Sequence, residues 1–228
     1  MSNSYLLPRI SSVNKPLRLG VLISGSGSGL EALLKYQELN ECSHETVVVI
    51  SDKIGVKGID RAVAHGVMAI TLPLPDISNF DNSTEQRVAH ENAISMILDE
   101  YSVELVVCSG YMRILTDSFL SERLGRVVNI HPSPWGDGGA LFPGAHGIRD
   151  TLAAGVKEAG ASVHFVSVGV DDGPLIASET TIIDSDENEN KLGERIRLEI
   201  EHKLYPLVID ALAEGKVVRE GKRFVISE

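Results

Sequence analysis

Cysteine is scarce in this chain: Cys42 and Cys108 are the only two among 228 residues. Two thiols build neither a disulfide framework nor a Cys-based zinc site. Cys108 closes the apolar run Leu105-Val106-Val107-Cys108 and reads as a small core residue. Basic residues are few as well, 21 against 32 acidic ones, for a net charge of −11. Such a surface repels a phosphate backbone, which argues against nucleic-acid partners but leaves room for one small anion held by backbone dipoles. No apolar run approaches the roughly 20 residues that span a bilayer, and Met1 to Pro16 carries no signal-peptide core. A cytoplasmic protein without a membrane partner is expected, and Asn82-Ser83-Thr84 then matches a glycosylation acceptor only by chance. The seven histidines lack zinc-like spacing, so no metal is expected. Asp184-Ser185-Asp186-Glu187-Asn188-Glu189-Asn190 begins like a calcium loop, but Glu189 replaces the required glycine. It reads as a solvated cap for the last helix.

What is present is a 43% hydrophobic chain of a length that suits one α/β domain, 17–228, behind an N-terminal extension, 1–16. Strands are expected at Leu17–Ser24, Glu45–Ser51, Val67–Leu72, Glu104–Ser109 and Arg126–Ile130. Helices fall between them, at Leu30–Tyr36, Ile59–His65 and Ser83–Glu100. That alternation predicts a Rossmann-like parallel sheet with helices on both faces. After a glycine-rich loop (Gly136 to Gly147) and a helix (Ile148–Ala154), strands Ala161–Val168 and Leu175–Ile183 extend the sheet as an antiparallel pair. Lys191–Glu214 closes the pattern as one long helix, with Leu192, Ile196, Ile200, Leu204, Leu207 and Leu212 near one face.

Three segments carry chemistry. Ser24-Gly25-Ser26-Gly27-Ser28-Gly29 joins the first strand to the first helix, where free N–H groups can hold a phosphate. It is no Walker loop, and Leu30 stands where the dinucleotide pattern needs its third glycine. Asp52 does occupy the usual place of a ribose-binding acid, which keeps an NAD-dependent oxidoreductase as a rival. Asn129 and His131, two apart at a strand end, point to one side. An amide donor beside an imidazole suits stabilisation of an oxyanion in acyl transfer, while a buried structural histidine is the plainer alternative. Asp171, in the turn Val170-Asp171-Asp172-Gly173-Pro174, is placed to pair with His131 and favour its charged form, although Asp-Gly-Pro is also ordinary turn chemistry. No nucleophile motif accompanies them, so direct transfer between two bound substrates is expected.

Taken with Gly110-Tyr111-Met112-Arg113-Ile114-Leu115, Pro143-Gly144-Ala145-His146, Ser162-Val163-His164-Phe165-Val166 and Tyr205-Pro206-Leu207, these blocks resemble the glycinamide ribonucleotide formyltransferase family over about Leu17 to Gly215. The resemblance implies the formyltransferase fold, with a phosphate-binding N-terminal half and a folate-binding, catalytic C-terminal half. It implies transfer of the formyl group of 10-formyltetrahydrofolate, a co-substrate, to the amine of glycinamide ribonucleotide in purine biosynthesis. Asn129 and protonated His131 would stabilise the oxyanion and Asp171 would support His131. Gly27, Ser28, Gly29 and Glu201 would bind the nucleotide. Arg87, Met112, Arg113, Ile114, Leu115, Asn129, Ser167, Val168, Gly169, Val170 and Asp171 would line the folate site, with His146 and His164 nearby. A homodimer is compatible with this reading. Formyltetrahydrofolate hydrolase is the alternative within the group, but it carries a regulatory module before the transferase domain. The sequence departs from the family at Gly29, where Asn is common, at Asp172, where a small neutral residue is usual, and at Leu141, where Lys is frequent. The loop from Pro134 to Ala140 is longer than usual and is expected to close over the substrates with Trp135 as its anchor.

Overall fold

The computed structural model describes residues 5–227. The elements run β1 (Leu17–Ile23), α1 (Ser28–Leu39), β2 (His44–Ser51), α2 (Lys57–Ala64), β3 (Met68–Thr71), α3 (Ser83–Glu100) and β4 (Leu105–Cys108). A short α4 (Asp117–Ser121), β5 (Val127–His131), a small hairpin of β6 (Trp135–Gly136) and β7 (Gly139–Ala140), and α5 (Gly147–Ala153) follow. Then come β8 (Glu158–Phe165), β9 (Leu175–Ile182), α6 (Glu189–Ile196), α7 (His202–Ala213), β10 (Val217–Glu220) and β11 (Arg223–Ile226). Seven strands form the main sheet in the order β3-β2-β1-β4-β5-β8-β9. Its first five are mutually parallel, and β8 and β9 are added antiparallel, as expected from the sequence.

A strand covered on both faces buries side chains in both directions. In β1, Leu17, Leu19, Val21 and Ile23 pack with α1 and α7, while Leu22 faces the layer of α3 and α4. Gly20 is required by that second layer: a methyl there would lie 2.6 Å from Leu98 of α3. Asn82 caps α3, its side chain accepting from the N–H groups of Thr84 and Glu85. Asn188 does the same for α6 through Lys191, so the acidic loop before it serves as a cap. Among the described residues no helix is long and apolar enough to cross a membrane.

Two features differ from the sequence expectation, and a third settles a point on which the sequence was silent. The final helix starts at Glu189 and is interrupted by a π-helical turn at Arg197–Glu201. Such a turn advances the buried face by five residues instead of four. The buried series Leu192, Ile196, Ile200 therefore continues at Tyr205, Val208, Ile209 and Leu212, and Leu207 is turned outward at 54% exposure. Beyond the helix the chain forms the β10–β11 hairpin, whose Phe224 packs edge-on to Phe165 at 4.7 Å and also meets Tyr5 at 5.3 Å. The N-terminal extension, of which residues 1–4 lie outside the described part, is pinned as well. Leu6 N–H donates to Leu124 and Arg9 pairs with Glu104 at 2.5 Å.

Candidate functional site

The strand order reverses between β1 and β4, and in a sheet of this kind the crevice outside the carboxyl ends of those strands receives ligands. A cavity of about 700 Å³ lies there. Its walls come from the glycine loop after β1, the segment Cys108–Leu115 after β4, the end of β5 and the loop after β8, with Arg197, Glu201 and Tyr205 of the last helix across from them.

At the glycine loop, Gly27 adopts φ 67° and caps α1 without any side-chain hydrogen bond. A side chain there would meet Gly58 of α2 at 2.6 Å, so glycine is needed for both conformation and packing. The opening N–H groups of α1 are left facing the cavity without an internal acceptor, an arrangement suited to an anion.

Asn129 and His131 alternate with core residues along β5 and so share one side of the sheet, with His164 and Ser162 as their partners on β8. Asn129 Nδ2 lies 3.4 Å from Asp171 Oδ1 and 3.3 Å from His164 Nε2. His131 is buried; its Nε2 lies 2.8 Å from the Phe142 carbonyl and its Nδ1 is 3.4 Å from Asp171 Oδ2. Both ring nitrogens thus face an acceptor, and a ring protonated on both donates on each side. His164 Nε2 lies 3.6 Å from the other oxygen of Asp171.

Asp171 is held in place through its backbone and its carboxylate. It adopts φ 49°, its carbonyl accepts from Ala140 N–H, and its Oδ2 accepts from Gly144 N–H at 2.8 Å. Burial pushes its carboxyl upward, but the His164 contact, the Gly144 N–H and the two imidazoles outweigh it and hold the group below the usual carboxylate value. Asp172 is exposed and accepts from Ser167 Oγ instead. Trp135, on the β6–β7 hairpin, packs against His164 with ring centroids 4.8 Å apart and the planes tilted by 33°, so the long loop touches this cluster through its one aromatic residue.

Of the residues singled out from sequence, Gly27, Ser28, Gly29, Met112, Arg113, Ile114, Leu115, Asn129, His131, Ser167, Gly169, Val170, Asp171 and Glu201 all line the cavity. Val168 lies in the same loop but points outward, 58% exposed, and the exposed His146 precedes α5. Arg87, on α3, lies outside the lining, with its Nε buried and unpartnered. Asp52 is 4% exposed, its Oδ2 accepts from Arg113 Nε at 2.6 Å, and it does not line the cavity. Met112, Ile114 and Val170 present exposed apolar surface at the rim, as a flat aromatic ligand requires. Burial pushes the Glu201 carboxyl up to about 7, partly offset by the Arg197 charge.

Ser109 and Arg197 also line the cavity, and neither was singled out from sequence. Nothing local in Cys-Ser-Gly or Ile-Arg-Leu marks them, because only the sheet order and the π turn bring them to the wall. Elsewhere, Cys42, His44 and Asp210 come together at the opposite end of β2. Gln37 spends its carbonyl on Thr46 N–H and so donates its amide to His44 Nδ1. His44 then carries its proton on Nε2, 2.9 Å from Asp210, and offers no lone pair to a metal. Burial, and then Asp210, push the Cys42 thiol up to about 11, which also disfavours a thiolate ligand.

A profile of the formyl transferase family matches residues 17–209. Phosphoribosylglycinamide formyltransferase of Escherichia coli is 35% identical over 201 residues, covering 88% of this chain and 89% of that one. The human trifunctional purine biosynthetic protein adenosine-3 is 34% identical over 217 residues, 95% of this chain but 20% of its own length. Against such trifunctional relatives the chain spans between 14% and 20% of the whole. The crystal structure of glycinamide ribonucleotide transformylase 1 from Symbiobacterium toebii superposes with a TM-score of 0.83 at 38% identity, covering 93% of this chain and 95% of that one.

Proposed function

Because the chain belongs to the formyl transferase family, we propose that it transfers the formyl group of 10-formyltetrahydrofolate to the amine of glycinamide ribonucleotide, a step of purine biosynthesis. The observation that carries this reading is the convergence of Asn129, His131 and Asp171 on the wall of a cleft that also holds an anion cradle. In this reading residues 17–228 act as one domain in the cytoplasm, with small-molecule partners only.

The amine nitrogen bonds to the formyl carbon, and the carbonyl oxygen becomes an oxyanion. Asn129 Nδ2 donates to it, such a donor being worth roughly 10²–10³ in rate, and the charged His131, paired on both sides, stabilises it through its positive field. The bond from that carbon to N10 of the folate then breaks, N10 takes up a proton and the amine loses one. Asp171 keeps the imidazolium paired and, lying beside His164, accepts from groups that carry the proton across. No nucleophilic side chain is needed, because the two substrates react directly. The glycine loop receives the nucleotide phosphate and the Met112–Leu115 segment the pterin.

Tetrahydrofolate release, followed by absorbance with and without glycinamide ribonucleotide, tests the proposal. Release that depends on the nucleotide supports it. Equal release with water alone would replace it by the hydrolase reading.

A further inference from the structure

The polar contacts that join Asn129, His164 and Asp171 are long. Asn129 Nδ2 lies 3.3 Å from His164 Nε2 and 3.4 Å from Asp171 Oδ1, and His164 Nε2 lies 3.6 Å from the same oxygen. Contacts of that length fix direction poorly. The backbone adds little at His164, because the pairing of β8 with β9 shifts register between Val163 and His164. Such a bulge breaks the regular ladder and re-aims the side chain. One end of the ring is tethered: a carbonyl can only accept, so His164 Nδ1 carries a proton and donates to the Phe165 carbonyl at 3.0 Å. In the neutral ring Nε2 is then an acceptor, and this end, which meets Asn129 and Asp171, has no bond as short.

Packing supplies what the hydrogen bonds do not. The indole of Trp135, the only tryptophan of the chain, lies against the His164 ring. A tryptophan side chain is large and turns about only two bonds, so it restrains a neighbour at small entropic cost. The indole is itself held. Trp135 pairs with Ala140 across the β6–β7 hairpin, and Leu141 N–H donates to the Pro134 carbonyl at 2.9 Å. Leu141 also folds over Gly136, where a methyl would lie 2.7 Å from its Cδ2. At the base of the loop, Ser162 Oγ donates to the Ser133 carbonyl at 2.7 Å, which ties the hairpin to β8 two residues before His164. Trp135 does not line the cavity, so its route to the reacting groups runs through His164.

The second strand of the same hairpin meets Asp171. Ala140 N–H donates to the Asp171 carbonyl at 2.8 Å. Gly139, at φ 136°, lies so close that a methyl on it would come within 2.8 Å of that oxygen and 2.9 Å of Asp172 Cα. The turn that bears the Asp171 carboxylate thus rests on β7, while the histidine beside it rests on Trp135 of β6. Both contacts come from the loop whose length sets this sequence apart from its family.

We infer that Trp135 is a positioning residue for formyl transfer: its indole holds the His164 ring where Nε2 takes one N–H of the Asn129 amide and leaves the other for the oxyanion. Gly139 and Ala140 fix Asp171 from the second strand of the hairpin. The inference rests on the reading of the cleft as a formyl-transfer site. A Trp135 that only kept the hairpin folded would behave differently, since its loss would then cost the same whether or not His164 is present.

The test makes Trp135→Ala and Trp135→Phe in the wild-type chain and in a His164→Gln background, read by steady-state kinetics and by NMR of the Asn129 side-chain amide in ligand-free protein. A misplacement of about 1 Å at reacting groups can cost about a hundredfold in rate. Trp135→Ala is expected to lower kcat by about ten- to a hundredfold, with both KM values within about twofold. Trp135→Phe keeps a smaller ring and loses about two- to fivefold. In the His164→Gln background either change costs less than about twofold further, because the relay is already gone. Equal losses in the two backgrounds would overturn the inference, as would an unchanged kcat in Trp135→Ala or a loss confined to either KM. The cycle run with Trp135→Phe decides the matter if the alanine variant does not fold. In ligand-free protein, removing the indole moves the Asn129 amide resonances when His164 is present and leaves them in place when it is not. Asn129 resonances that ignore Trp135 in the wild-type chain would overturn the inference as well. Wild-type protein without nucleotide-dependent turnover would refute the proposed reaction, and the resonances alone would then decide whether Trp135 orders the cluster.

Discussion

Asp171 turns its carboxylate toward His131, His164 and the Asn129 amide, while its neighbour Asp172 faces water and accepts from Ser167. From sequence the two are separated by one position, and the family pattern alone chose between them. The structure supplies the physical distinction in the left-handed backbone of Asp171 and its Gly144 N–H bond. Asp171→Asn should lower kcat by about 10²–10⁴, since the amide no longer balances an imidazolium. Asp172→Asn should stay within about threefold. Steady-state kinetics on the two variants checks this, and equal losses would move the role away from Asp171. Asn129 and His131 were legible because they sit at the end of β5, where side-chain direction follows from period-two alternation, whereas Asp171 lies in the loop after β8 and has no such guide. Arg87 and Val168 were carried over by resemblance alone, without such a constraint, and both lie outside the cavity lining.

At the scale of elements, the parallel sheet, its helices and the antiparallel extension follow from runs of Val, Ile and Leu spaced by helical stretches. The π turn does not, because a five-residue step looks like a phase error in a helical pattern; Leu207 was assigned to the buried face for that reason. The β10–β11 hairpin escaped notice because Arg219, Glu220, Lys222 and Arg223 crowd around Gly221, which resembles a solvated tail. Its Phe224 is nevertheless 2% exposed and closes an aromatic cluster with Phe165 and Tyr5. Phe224→Ala should destabilise the fold by about 3–5 kcal/mol, read as a lower urea midpoint, with kcat unchanged in the fraction that remains folded. A midpoint equal to wild type would mean that the hairpin is only an appendage.

Across the whole molecule, stability depends on pH through carboxyl groups shifted in opposite directions, Asp171 downward and Glu201 upward among them. Asp171 is held low in the folded chain, so its contribution is present at neutral pH and is lost in acid as the group takes up a proton. Glu201 is pushed from 4.5 up to about 7, so the folded chain keeps a proton that the unfolded chain releases in that interval. Its effect on stability therefore becomes steadily less favourable as pH rises from 4.5 to about 7. Glu201→Gln should accordingly show a smaller fall in Tm than wild type between pH 5 and pH 8, measured by calorimetry. A fall of the same size in both proteins would mean that Glu201 titrates normally.

The central claim is direct transfer between two bound substrates. It is tested most directly by a single turnover with 10-formyltetrahydrofolate carrying ¹³C in the formyl group, followed by NMR. The account predicts that the label appears in the amide of formylglycinamide ribonucleotide, in step with tetrahydrofolate release. Label recovered as free formate, with the nucleotide unlabelled, would contradict it.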